Sequence, residues 1–139
     1  MTTLTFISKA DFVNNWNKNP PENSVCISIN DPTTAFFPKL HPNWKESLMV
    51  NFYDYDTLEH SGFDEDLADK ICEFVDHVST IEPKYIIVHC YAGISRSAAV
   101  AKFISIIMNL KFPESYMLYN KYVFRTLLNY WNRVYLYKE

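Results

Sequence analysis

Three side chains lying close together in residues 84–110, KYIIVHCYAGISRSAAVAKFISIIMNL, could carry covalent chemistry on an anionic substrate. Cys90 offers a nucleophilic sulfur. Arg96 presents a planar fork of donors that suits two oxygens of a phosphate, a geometry that lysine cannot reproduce. Ser97 follows directly, and its hydroxyl can reach back to the sulfur and stabilise it when it leaves. Gly93, one of 2 glycines in the chain, supplies either a positive φ or a close approach of backbone to an anion.

The flanking residues show how these groups would be positioned. Residues 85–88 form a short, β-branched apolar run, as expected of a buried central strand. From Ser97 onward, Ala, Val, Phe, Ile and Met recur at helical spacing. The intervening loop, from His89 through Tyr91, Ala92, Gly93, Ile94 and Ser95 to Arg96, therefore opens a helix. Such a loop aims backbone N–H groups at one point, where the helix dipole adds partial positive charge. Those dipoles and Arg96 would stabilise the thiolate of Cys90.

His89-Cys90-x5-Arg96-Ser97 with internal Gly93 resembles the H-C-x5-R-[S/T] signature of the cysteine-dependent protein tyrosine phosphatases, in particular the small dual-specificity type. Residue types, spacing and the strand–loop–helix setting all agree. The resemblance implies an α/β three-layer sandwich, with a central mostly parallel sheet flanked by helices. It also implies phosphate-monoester hydrolysis through a phosphocysteine, with Arg96 and the amides of residues 91–95 binding the phosphate. His89 would orient the loop rather than exchange protons with substrate. The family places its general acid in an acidic loop some thirty to forty residues before the nucleophile, where this chain has NFYDYDTLEHSG (51–62). Asp54 directly follows an apolar strand and ranks first for that role, with Asp56 second. No metal or other cofactor is required, because Arg96 and the loop amides supply the positive charge.

The remaining sequence is consistent with one domain spanning 1–139. At 139 residues, 48% of them hydrophobic, the chain can build a core. A net charge of −3 gives no reason to expect nucleic acid or an anionic membrane as partner. Cys26, Cys72 and Cys90 have neither a disulfide framework nor metal-ligand spacing. The N-terminus lacks a secretory pattern, so a cytoplasmic location and, by default, a monomer are expected.

Strands are expected at 4–7, 24–29 and 48–53. Ser8 should cap a helix running through Trp16, and Ser61 with Asp64 should cap one over 63–78. Phe36, Phe37 and Trp44 are expected to fill core within a proline-rich connection, and a last helix to run over 114–138.

The expected substrate is a phosphorylated protein or peptide. Tyr91, Ala92, Ile94 and Ser95 include no lysine or arginine to meet the additional phosphates of an inositol lipid or an RNA 5′-triphosphate. Hydrolysis of such a non-protein ester, a silent phosphate-binding module and a sulfurtransferase are the alternatives.

Overall fold

A computed structural model describes residues 1–136 and centres on a four-stranded parallel sheet in the order β1-β4-β2-β3. The strands are β1 (Thr3–Ser8), β2 (Ser24–Asn30), β3 (Glu46–Asn51) and β4 (Tyr85–Cys90). Every residue of β2 is buried, as befits an inner strand covered on both faces. Pleating sends alternate side chains to opposite sides. Val25, Ile27, Ile29, Ile86 and Val88 join one core, while Cys26 and Ile87 join another with Phe12 and Trp44.

The first core is covered by three long helices, α3 (Glu65–Ile81), α4 (Arg96–Met108) and α5 (Lys121–Tyr130), preceded by the single turn α2 (Leu58–Ser61). Helix α4 packs on β1 and β4, α3 packs on β3, and α5 lies against both helices. Ala98, Ala99 and Ala101 are fully buried, so α4 can lie close between the sheet and α5. The second layer is thin. It consists of α1 (Lys9–Asp11), which continues as a π-helical turn over Phe12–Trp16, and the connection that carries Trp44.

Parallel register brings all four carboxyl ends to one edge of the sheet. Ser8 pairs with Cys90, Ser28 with His89, and Asn30 with Asn51. The segments emerging there begin with Lys9, Asp31, Phe52 and Tyr91. In open α/β sheets this edge is where ligands bind.

Several sequence expectations need correction. Asp64, not Ser61, caps α3: its Oδ1 accepts from Leu67 N at 3.0 Å. Ser61 instead ends α2 and is buried. Phe36 and Phe37 are exposed at 77% and 42%, so of the three aromatics in that connection only Trp44 fills core. The closing helix begins at Lys121, where Asn120 caps it, and not at residue 114. Its predicted end, including Tyr137, lies outside the described residues. No helix among the described residues is long and apolar enough to cross a membrane.

Candidate active site

Cys90 is the last residue of β4 and is 2% exposed. Its sulfur accepts a hydrogen bond from Gly93 N–H at 3.3 Å and lies 3.2 Å from Ser97 Oγ. Gly93 has the positive φ read from the sequence, +73°, and a Cβ there would also collide with the backbone of Ile7 and Ser8. The loop is fastened on three sides. Tyr91 O accepts from Lys9 N at 3.1 Å, Ile94 O accepts from Tyr116 Oη at 2.5 Å, and Ser95 O accepts from Asn120 N at 3.0 Å. Tyr91, Ala92 and Ile94 remain exposed around its rim.

Arg96, the first residue of α4, is 5% exposed. Its Nη1 donates to Asp31 Oδ1 at 2.6 Å and to the Phe52 carbonyl at 2.7 Å. Its Nε is buried and has no partner among the described residues. A buried cationic N–H without an acceptor is costly, and an anion bound at the loop would supply one. Sequence reasoning missed Asp31, since Asn30-Asp31-Pro32 reads simply as the end of a strand. No local signal marks it, because the neighbouring position of β2 and β4 that brings it to Arg96 is set by strand pairing.

His89 is fully buried and stacks on Phe12, with ring centroids 4.2 Å apart. Its Nδ1 lies 3.3 Å from the Cys90 carbonyl and its Nε2 lies 2.6 Å from Ser28 Oγ. A carbonyl only accepts, so Nδ1 carries the hydrogen and Nε2 accepts from the Ser28 hydroxyl. Ser28 Oγ in turn accepts from Asn30 Nδ2 at 3.0 Å. Burial, offset in part by the bond to Cys90 O and assisted by the nearby charges of Lys9 and Arg96, lowers the imidazole pKa to about 4. The ring is therefore a neutral strut between two inner strands.

Asp54 follows β3. Its Oδ1 accepts from Ser95 Oγ of the loop at 2.8 Å and from Asn120 Nδ2 at 2.8 Å. Asn120 was not singled out from the sequence. It also donates to Tyr55 O at 3.0 Å and caps α5 through Val123 N at 3.0 Å. Asp56 makes no hydrogen bond or ion pair among the described residues. It lines an open hollow of about 410 Å³ with Asp54, Tyr55, Ser95, Tyr119, Asn120 and Lys121. That hollow adjoins the loop through Ser95, and neither Cys90 nor Arg96 lines it. Lys9 brings a further cation beside the loop, with its ammonium on the Phe36 carbonyl.

The other two cysteines lie in apolar surroundings, where burial pushes their thiols up, that of Cys72 to about 12.

No protein-family model matches the sequence, and no curated protein matches it. Solved structures do. The human tyrosine phosphatase-like serine/threonine/tyrosine-interacting protein superposes with a TM-score of 0.57 at 20% identity, covering 79% of this chain and 77% of that one. Human DUSP28 superposes with a TM-score of 0.53 at 17% identity, covering 94% of this chain and 92% of that one. At these identities the likeness is one of fold, and the fold is the small dual-specificity-phosphatase-like α/β sandwich.

Proposed function

We propose that the chain is a phosphate-monoester hydrolase, a protein tyrosine or dual-specificity phosphatase that works through a phosphocysteine intermediate. One observation carries this reading: Cys90 Sγ faces the Gly93 N–H at 3.3 Å, while the Arg96 Nε that opens the following helix is buried without an acceptor. A nucleophile and an unused anion donor thus belong to one loop.

In the first step the Cys90 thiolate attacks phosphorus, a sulfur–phosphorus bond forms, and the bond to the leaving oxygen breaks. Loop amides and Arg96 hold the nonbridging oxygens as charge redistributes. Asp54 gives its proton to the leaving oxygen. Both donors to Asp54 reach Oδ1, which leaves Oδ2 to carry that proton. In the second step water attacks phosphorus, its proton passes to the Asp54 carboxylate, and the sulfur–phosphorus bond breaks. The Ser97 hydroxyl, 3.2 Å from the sulfur, then donates to the departing thiolate. His89 keeps the Cys90 carbonyl, and with it the loop, in place.

The exposed loop positions Tyr91, Ala92 and Ile94 carry no cation, and the Lys9 ammonium beside them is engaged with the Phe36 carbonyl, which favours a phosphorylated protein segment over a polyphosphorylated headgroup. The test is phosphate release from p-nitrophenyl phosphate in EDTA. Wild type turns over and Cys90→Ser does not; equal rates for the two proteins refute the reading.

A further inference from the structure

The carbonyls of Tyr91, Ile94 and Ser95 are each held from outside the loop, but by donors of two kinds. Lys9 N and Asn120 N are backbone groups, which any residue but proline would supply. Ile94 O instead accepts from a side chain, the Tyr116 hydroxyl at 2.5 Å. The peptide joining Ile94 to Ser95 is planar, so a carbonyl fixed on Tyr116 turns the Ser95 N–H away from Tyr116. That N–H belongs to the residue preceding α4, where the Ser95 hydroxyl makes no cap and is spent on Asp54 at 2.8 Å. No side-chain cap therefore competes with an anion for the N–H groups at this helix start.

Tyr116 comes from an irregular segment, yet it is braced. Its ring meets Phe6 of β1 edge to face with centroids 5.1 Å apart and Phe112 at 6.1 Å, and Phe6 and Phe112 stack on each other at 5.6 Å. Its own N–H donates to Pro113 O at 3.1 Å. On either side of it in the chain, the Lys102 ammonium of α4 lies over the rings of Phe112 and Tyr119, 5.4 Å and 4.7 Å from their centroids. These cation–π contacts hold both ends of the segment to the helix that the loop opens. Burial, and then the charge of Cys90, keep the phenol above its usual pKa, so it remains a donor.

We infer that Tyr116 is a positioning residue of the phosphate cradle: through Ile94 O it aims the Ser95 N–H at the bound oxyanion without touching that anion itself. This rests on the phosphatase reading of the same loop. Two effects oppose each other. The hydroxyl end of Tyr116 is open to solvent, and a water can replace it on Ile94 O. That water must be ordered, whereas the phenol is already fixed by its ring packing. A carbonyl released to turn inward would also set a partly negative oxygen against the anion, so orientation by the phenol wins.

The experiment titrates wild type, Tyr116→Phe and Tyr116→Ala with tungstate, a tetrahedral dianion, following the serine and glycine amide resonances by NMR, and measures kcat/KM for p-nitrophenyl phosphate beside it. Tyr116→Phe keeps the ring and its packing and is expected to bind tungstate about three- to tenfold more weakly, as for loss of one neutral hydrogen bond. The tungstate-induced shift of the Ser95 amide should shrink while that of Gly93 is retained. The same factor should appear in kcat/KM, with the unfolding midpoint close to that of wild type. Tyr116→Ala should lose at least as much affinity; where it does not fold, Tyr116→Leu takes its place. A loss confined to the Ala or Leu variant would make ring packing the whole effect. A loss in Tyr116→Phe to which the Ser95 and Gly93 amides respond alike would make Tyr116 merely structural. Either result overturns the inference and leaves the phosphatase reading intact. Wild type that neither binds tungstate nor hydrolyses p-nitrophenyl phosphate overturns both.

Discussion

Cys72 and Cys90 are both free, and both are buried, at 0% and 2% exposure, yet their surroundings differ in kind. Cys72 sits on α3 among apolar neighbours, and burial followed by the charge of Asp69 pushes its thiol up to about 12. The sulfur of Cys90 faces the Gly93 N–H and the Ser97 hydroxyl at the start of α4. Exposure therefore does not separate the two cysteines. What each sulfur faces does separate them: apolar side chains around Cys72, a backbone N–H and a hydroxyl at the start of a helix around Cys90.

The largest effect that would sharpen this contrast comes from exchanging each sulfur for oxygen. Cys90→Ser is expected to reduce phosphate release to background, while Cys72→Ser leaves kcat/KM unchanged in the folded fraction; loss of activity from the Cys72 variant alone would invert the comparison. Next is the arginine. Arg96→Lys keeps the charge but loses the fork, and kcat/KM for p-nitrophenyl phosphate should fall roughly 10²–10³-fold, the range seen when one anion-hole donor is removed. Near-normal kinetics would mean that the loop binds its anion without a bidentate clamp.

Asp54→Ala should lower kcat roughly 10²-fold with little change in substrate affinity, as expected for removal of a general acid. Asp56→Ala should barely matter, since only Asp54 is bonded to the loop, through Ser95. The reverse pattern would transfer the role to Asp56.

The smallest effect concerns stability. The native pKa of His89 is lowered from 6.5 to about 4. As pH falls through 6.5 the unfolded chain takes a proton that the native imidazole refuses, so stability declines until about pH 4, by up to about 1.4 kcal/mol per pH unit. Denaturant titrations between these limits should show that slope in wild type and not in His89→Asn. An identical slope in both would indicate that His89 titrates normally.

The elements that order the fold were readable from the sequence because they follow a simple periodicity. The runs at 24–29 and 85–88 are the inner strands β2 and β4, extended by one and two residues respectively. The signature placed Cys90, Gly93, Arg96 and Ser97 within one loop and the first turn of one helix, where local spacing alone sets the geometry. What could not be read depends on distant pairing. Asp31 and Phe52 meet Arg96 only because the parallel register of β2, β3 and β4 brings their ends level. Asn120 meets Asp54 only because α5 packs against α4. The spacing of Tyr116 and Tyr119 mimics an amphipathic stripe, which is why the sequence pattern extends the closing helix back to residue 114 while the chain starts it at Lys121. Tyr116 instead turns to the loop, donating to Ile94 O, and Tyr119 meets Phe124 edge to face with ring centroids 5.4 Å apart. Only hydrophobicity points Phe36 and Phe37 toward the core, and it says little about any single residue on an irregular segment.

The central claim is that a phosphoryl group resides transiently on Cys90. It is tested most directly by mixing the protein with a radiolabelled phosphate monoester, quenching in acid within one turnover, and mapping the labelled peptide. The account predicts label on the peptide containing Cys90, absent in Cys90→Ser and longer-lived in Asp54→Ala. Steady turnover with no label on that peptide, or label on any other residue, would contradict it.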